Sequence, residues 1–488
     1  MWTKEELKEL VAEKLRENLF VVVSNREPYI HKFTPEGVEC SKPASGLVTA
    51  LDSVLQSCGG IWVAHGSGEA DKKVVDKNDR IQVPPEDPRY TLKRIWLSKE
   101  EEAGYYYGLS NQTLWPLCHI VYQKPVFSRS DWEQYKKVNE KFAQSILEEV
   151  KGKNAFVFIQ DFHLTLLPKL LKDADPNIKV AHFWHIPWPN PEAFRICPWK
   201  QEILEGLLGA DLLGFHIGYH TDNFLDTINQ VLEAKVDKVA SSVVYGGHET
   251  LVKAFPIGVD FEKISRSAVG QKVEKNSEFL KKQLNISNIK YVGVGADRID
   301  YTKGIPERFA AIDRLLEKYP HYQGNFVFLQ VGALSRIHIQ AYKNLNDEIN
   351  SLVERINWKY SSDGWIPIVM MRRHFTPEDL MSFYRMSDFC ICSSLHDGMN
   401  LVCKEFVSAA RDETSLLLSR FTGAARELAD SVLINPYDPE SFADAINQSL
   451  CMSNEEKAKR VAKMKESISE NNIYKWAASI IRALLKIA

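Results

Sequence analysis

Two doubly wound α/β domains facing across a cleft are predicted for this chain, and three observations predict them. Short apolar runs of strand length alternate with helix-like segments from end to end, the pattern of βαβ units that build parallel sheets. Proline and glycine interrupt the alternation near Pro256–Asp260. A length of 488 residues also exceeds what one compact core holds, so two domains of roughly 200–250 residues are expected.

The first series opens with a charged, helix-like stretch, MWTKEELKELVAEKLREN, that lacks the apolar segment of a secretory leader. LFVVVS (Leu19–Ser24), IWVAHG (Ile61–Gly66), AFVFIQ (Ala155–Gln160), KVAHFWH (Lys179–His185) and LLGFH (Leu212–His216) follow as strands. Each is apolar along its length, as suits a strand buried on both faces. Between them Trp132, Tyr135, Val138, Phe142, Ile146 and Val150 recur at spacings of three and four, which makes an amphipathic helix. HKFTPEGVECSKP reads as a long, insertion-like loop. The second series, KYVGVG, NFVFLQVG, IPIVMM, DFCICSS, SLLLS and SVLINP, sets a helical pattern after each run. The last helical stretch breaks near Glu470–Asn472, which lets a final helix cross back to the first domain. The expected divisions are therefore 1–258, 259–470 and 471–488.

Composition narrows the function. The chain is 44% hydrophobic and 26% charged with a net charge of −3, so no basic excess points to nucleic acid. The longest apolar runs are far short of a membrane span, and the cytoplasm is the expected location. The eight cysteines are scattered without a CxxC pair and are expected as small buried residues, not as a disulfide framework or a zinc site. Neither a metal nor a cofactor is expected.

Chemistry is concentrated where strands end. In ADRIDYTKGIPERF, Arg298 and Lys303 stand five residues apart between an apolar run and a helix-like segment. Two fixed cations there suit a pyrophosphate leaving group and can replace a metal, Arg as a fork and Lys as a point charge. About a hundred residues on, SSLHDGMNLVCKEF sets Asp397 and Glu405 around a turn that opens a helix. Asp397, Met399, Asn400 and Leu401 offer side-chain and main-chain groups to sugar hydroxyls and phosphate, and Glu405 suits a ribose diol. Asp397 is equally suited to cap that helix. Together the two stretches read as a nucleotide-sugar site.

In the first domain, Arg26 in VSNREP and the N–H groups near Ser45 and Gly46 in PASGLVTAL suggest an anion pocket at a helix N-terminus. Tyr106 and Trp115 in YYYGLSNQTLWP suit a hexose carrying a phosphate, although aromatics at such positions are more often core. Asp161 in FIQDFHL reads as an acid, a base, an acceptor-hydroxyl ligand or a helix cap. His185 in FWHIPWPNPEAF ends a strand before a proline.

These stretches, with GADLLGFH, FPIGVD and FTGAARELADSVLINPYD, resemble the trehalose-6-phosphate synthase family in content and order from about Leu19 onward. The resemblance implies a GT-B fold of two Rossmann-like domains, the first for acceptor and the second for nucleotide-glucose. It implies metal-independent, retaining transfer of glucose from UDP-, GDP- or ADP-glucose to glucose 6-phosphate, giving α,α-trehalose 6-phosphate. By the same resemblance Arg26, Tyr106, Trp115 and Arg336 take the acceptor, and Asp161 and His185 lie at the catalytic centre. Arg298 and Lys303 hold the diphosphate, and Asp397 and Glu405 hold the donor glucose and ribose. Ser45-Gly46 replaces the family's usual Gly-Gly, Trp188 its common Phe, and His396 its frequent Arg. Glucosylglycerol-phosphate synthases, which use glycerol 3-phosphate, share the scaffold, as does a pseudo-glycosyltransferase that joins cyclitols. A silent regulatory paralogue is the non-enzyme alternative, opposed by the presence of every clamp and acceptor residue. No phosphatase motif follows, so the product is expected to leave phosphorylated. The donor base and the oligomeric state, a homo-oligomer included, stay open.

Overall fold

The computed structural model describes residues 2–15, 18–42, 46–362, 364–373 and 375–487. It contains two compact units, Met1–Ile257 with Ile473–Ala488, and Gly258–Asn472.

Strands of the first unit are β1 (Asn18–Arg26), β2 (Ile30–Thr34), β3 (Gly37–Ser41), β4 (Ile61–His65), β5 (Arg80–Val83), β6 (Tyr90–Ile95), β7 (Asn154–Gln160), β8 (Lys179–Phe183), β9 (Leu212–Phe215), β10 (Lys235–Asp237), β11 (Ser242–Tyr245) and β12 (His248–Ala254). Ten of them form one sheet in the order β10-β11-β12-β9-β8-β7-β1-β4-β6-β5. From β12 to β6 every neighbour is parallel, while β5 and the β10–β11 ribbon run antiparallel at the edges. The central strands of the parallel run are mainly apolar, as suits strands buried on both faces, and Val21, Val22 and Val23 are fully buried. The chain lays β4 and β6 to one side of β1 and then returns to lay β7 on the other. The crevice beyond the carboxyl ends of β1 and β7 is thus a topological switch point, where ligands of such sheets bind.

The helix Arg129–Val150 starts at Ser128, whose hydroxyl accepts the Asp131 N–H, and all six of its expected apolar positions are buried. Two segments differ from the expectation. The insertion-like loop is an antiparallel hairpin of β2 and β3, turned at Pro35–Glu36, with Gly37 at φ +132° opening β3. The YYYGLSNQTLWP stretch lies largely in a π-helix, Ala103–Leu114. There the Asn111 and Gln112 side chains donate to the Tyr106 and Tyr107 carbonyls five residues back.

The second unit holds β13 (Tyr291–Ala296), β14 (Phe326–Val331), β15 (Ile368–Met371), β16 (Phe389–Cys392), β17 (Ser415–Ser419) and β18 (Val432–Ile434). They form one parallel sheet in the order β15-β14-β13-β16-β17-β18. The strand order reverses between β13 and β16, again a switch point. The helix Ile305–Lys318 buries Ile305, Phe309, Ile312, Leu315 and Leu316 in the core under that sheet, each such side chain contributing about 1.5–3 kcal/mol.

Two residues separate the helix Asn454–Glu470 from the helix Ile473–Leu485, which belongs to the first unit. Trp476 on that helix packs against Phe158, Phe183 and His185. Five cysteines are buried, but Cys40 and Cys58 are half-buried and Cys451 is exposed, against the expectation for all eight. Cys451 ends its helix and turns its thiol to Asn447. Among the described residues no helix is long and apolar enough to cross a membrane.

Candidate active site

In the first unit the strand-end residues form one connected series. Arg26 ends β1, and its guanidinium donates to the Tyr106 hydroxyl at 3.2 Å. The Tyr106 ring stacks on His163, centroids 5.8 Å apart and planes 11° from parallel. His163 Nδ1 lies 4.0 Å from Asp161 Oδ2. Asp161 Oδ1 accepts the His185 N–H at 3.2 Å, and His185 Nε2 meets Gln160 Oε1 at 2.9 Å. Trp115 is buried against Phe162 and His119.

Asp161 follows β7 at φ +72°, a conformation that costs a non-glycine residue about 1–3 kcal/mol and that clusters at functional sites. Its side chain makes no cap bond to the turn Phe162–Leu164, so the capping alternative falls and the carboxylate points elsewhere. Burial pushes the His185 imidazole well below its ordinary value, and His216, His182 and His163 add to the shift. His185 is therefore a neutral hydrogen-bonding group. His182 is buried within β8, whereas His185 stands beyond the strand's end. Gly46 heads the helix Gly46–Cys58; Ser45 lies outside the described residues.

In the second unit the loops after β13 and β16 meet. The Lys303 ammonium donates to Asp397 Oδ2 at 2.5 Å, both side chains 15% exposed. The same oxygen accepts from Ser394 Oγ at 3.1 Å and Asn400 Nδ2 at 3.3 Å. Burial alone would lower the Lys303 ammonium, but Asp397 and Asp297 outweigh it and raise it, so it stays charged. Arg298 lies in the same loop and acts on the buried Asp300. The cap of the helix Leu401–Ala409 is Asn400, whose side chain accepts the Cys403 N–H at 3.1 Å, and not Asp397. With the cap supplied by Asn400, the Asp397 carboxylate is left to accept from Lys303, Ser394 and Asn400. Met399 is buried beside them, and Leu401 opens the helix. Burial, then Cys392, pushes Glu405 up to about 7.

Two features hold this geometry. Arg308, fully buried, pairs with Asp297 at 2.8 Å and donates to Gln330 at 2.6 Å and Ser393 at 3.0 Å, tying the ends of β13, β14 and β16. Ser393 Oγ in turn donates to the Lys303 and Gly304 carbonyls at 3.1 and 2.8 Å. Behind the Asp397 turn, Lys404 is buried in an ion pair with Glu427 at 2.9 Å, which joins the HDGMNLVCKEF and FTGAARE stretches. Arg336 follows β14 and donates to Asp300 Oδ2 at 3.1 Å. His163, Gln160, Asp300 and Arg308 escape the sequence reading, although each lies in or beside a singled-out motif and that adjacency was the available signal. Among the described residues no group of three or more His, Cys, Asp or Glu side chains is placed to hold a metal ion.

Two α/β units with polar clusters at their strand ends, one of them cation-rich, define a GT-B glycosyltransferase. The chain belongs to glycosyltransferase family 20, whose profile matches residues 18–486. It is 36% identical to the trehalose-6-phosphate synthase of Mycolicibacterium gilvum, over 95% of this chain and 93% of that one. To the bifunctional trehalose-6-phosphate synthase/phosphatase of Thermoproteus tenax it is 34% identical over 95% of its own length, and it spans 63% of that longer relative. Among solved structures it resembles the E. coli trehalose-6-phosphate protein bound with UDP-2-fluoro glucose, at a TM-score of 0.85 and 32% identity over 96% of this chain and 100% of that one. A UDP-forming α,α-trehalose-phosphate synthase from Burkholderia xenovorans in complex with glucose-6-phosphate matches at 0.85 and 30% identity, over 95% and 99%. The family read from the motifs, the hexosyltransferase class and the fold class are thereby borne out.

Proposed function

We propose that the chain transfers glucose, with retention, from a nucleotide-glucose to glucose 6-phosphate, releasing α,α-trehalose 6-phosphate and a nucleoside diphosphate. UDP-glucose is the proposed donor, because the E. coli relative is bound with UDP-2-fluoro glucose and the B. xenovorans relative is UDP-forming. The cytoplasm, where phosphorylated sugars are made, is the proposed location.

The observation that carries the reading is the Lys303–Asp397 pair at the second unit's switch point. A donor entering there exchanges partners with it. Lys303 and Arg298 turn to the diphosphate, and Asp397 accepts hydroxyls of the transferred glucose, helped by Met399, Asn400 and Leu401. Glu405 takes the ribose diol. Arg26, Tyr106, Trp115, Ser45 and Gly46 hold the acceptor, with Arg336 on its phosphate. Asp161 orients acceptor hydroxyls, and neutral His185 orients the donor sugar. As the sugar–phosphate bond breaks, negative charge grows on the leaving oxygen. Fixed cations stabilise it and let that oxygen take the acceptor's proton on the same face, which preserves the α configuration.

Removing one such contact costs about 3–4 kcal/mol in the transition state. Arg298→Ala and Lys303→Ala should each lower kcat by about two or more orders of magnitude, measured as nucleotide release from UDP-glucose with glucose 6-phosphate. EDTA should leave the wild-type rate unchanged. Full activity in either variant sinks the assignment.

A further inference from the structure

Asp300 is fully buried in the loop after β13, and its two carboxylate oxygens serve different partners. Oδ1 accepts the Thr302 N–H at 3.1 Å and the Thr302 hydroxyl at 3.0 Å, while the Lys303 N–H donates to the Asp300 carbonyl at 3.0 Å. These bonds shape the turn that presents Lys303. Oδ2 does nothing for that turn. It accepts the Tyr342 hydroxyl at 3.0 Å and the Arg336 guanidinium at 3.1 Å, from a helix and a loop 42 and 36 residues away in sequence. Arg336 and the Tyr342 hydroxyl also touch at 2.5 Å. Arg336 has its backbone at φ +49° and its side chain 5% exposed, so its guanidinium is held in one pose.

We infer that Asp300 is a positioning residue that fixes Arg336 for the phosphate of the acceptor through one oxygen, while the other builds the turn bearing the diphosphate cation. The inference rests on the reading of Arg336 as the acceptor-phosphate residue. Burial would raise the Asp300 carboxyl, but Arg336, then Arg298, outweigh it and hold it below the usual carboxylate range. It thus stays an acceptor for both sets. A protein that needs only the turn would need only Oδ1; the second oxygen is what gives acceptor affinity its dependence on this carboxylate.

Asp300→Asn separates the two roles, because its remaining oxygen can still serve Thr302 while its amide cannot accept from Arg336 or Tyr342. The expected result is a KM for glucose 6-phosphate raised about tenfold, the scale of one hydrogen bond to a charged group, with the Kd for UDP changed less than about threefold by calorimetry. Tyr342→Phe, which keeps the carboxylate, should shift the same KM in the same direction by a smaller factor. In Asp300→Asn/Arg336→Ala the two effects should not multiply, since both remove one interaction. Equal losses of UDP and glucose 6-phosphate affinity, multiplicative effects in the double variant, or an unaltered or lowered KM in both Asp300→Asn and Tyr342→Phe would overturn the inference. If Arg336→Ala alone leaves the KM for glucose 6-phosphate unchanged, the acceptor reading of Arg336 falls and this inference with it. A raised KM in Arg336→Ala beside an unaltered one in the other two overturns only the role of Asp300.

Discussion

Glu405 lies in the second turn of the helix Leu401–Ala409, and burial lifts its carboxyl from 4.5 to about 7. A ribose diol donates hydrogen bonds to a carboxylate and so favours the ionised form. Binding must then release a proton wherever Glu405 is still protonated. The Kd for UDP should be flat above about pH 8 and should weaken below pH 7, by up to about tenfold per unit. Calorimetry between pH 5.5 and 8.5 reads this, and Glu405→Gln should flatten the profile to the part due to the terminal phosphate of UDP, which titrates at about 6; a profile unchanged by Glu405→Gln contradicts the ribose role. The stability of the unliganded protein has the opposite sign. The neutral Glu405 contributes stability fully present below pH 4.5, and it is lost as pH rises through about 7. At this scale the sequence is legible only in part. Arg298, Lys303, Asp397 and Glu405 stand out because cations and carboxylates beside a strand end have few other uses. Asp300, in the same motif, looks like one more loop acid, since its partners Arg336 and Tyr342 lie 36 and 42 residues on. His163 hides for a similar reason: its stacking on Tyr106 joins two motifs that only the fold brings together.

Among the elements, the turn Tyr301–Lys303 and the helix Ile305–Lys318 depend on Gly304, which sits at φ +61°. A Cβ there would lie 2.2 Å from the Ser393 carbonyl oxygen, so Gly304→Ala must both strain the backbone and push the β13 loop off the β16 loop. Strain of this kind costs about 1–3 kcal/mol, and the Lys303 ammonium moves with the turn. Gly304→Ala should lower the thermal midpoint by several degrees and weaken UDP binding by about tenfold or more. Gly152→Ala is the control: its φ is +71° with nothing within 4 Å of the added Cβ, so it should carry strain without loss of UDP affinity. Equal UDP binding in the two variants would show that the turn's position is immaterial. The buried parallel strands are legible in sequence because burial on both faces leaves only apolar residues, as in Val21–Val23 and Phe326–Val331. The hairpin of β2 and β3 is not, because Lys32, Phe33 and Val38 face solvent and leave no apolar alternation to read. The π-helix Ala103–Leu114 is hidden too, since its buried residues follow neither a period of two nor one of 3.6.

For the whole molecule, membership of glycosyltransferase family 20 supports the proposed reaction, a retaining glucosyl transfer in which Arg298 and Lys303 are the proposed cations. Its stereochemistry excludes a simple back-face displacement. A double displacement would need a carboxylate nucleophile about 5 Å from its acid partner, and Asp161, a strand-end carboxylate of the first unit, is engaged with the His185 N–H and beside His163. Same-face attack needs no such nucleophile, and it leaves no covalent glucose on the protein. The most direct measurement incubates the purified protein with UDP-glucose and an equimolar mixture of glucose 6-phosphate and glycerol 3-phosphate in EDTA, and reads the product by NMR and mass spectrometry. An α,α-linked disaccharide phosphate from glucose 6-phosphate, with no glucose bound to Asp161, is the predicted result. A β linkage, a preference for glycerol 3-phosphate, or a trapped glucosyl-Asp161 would contradict it.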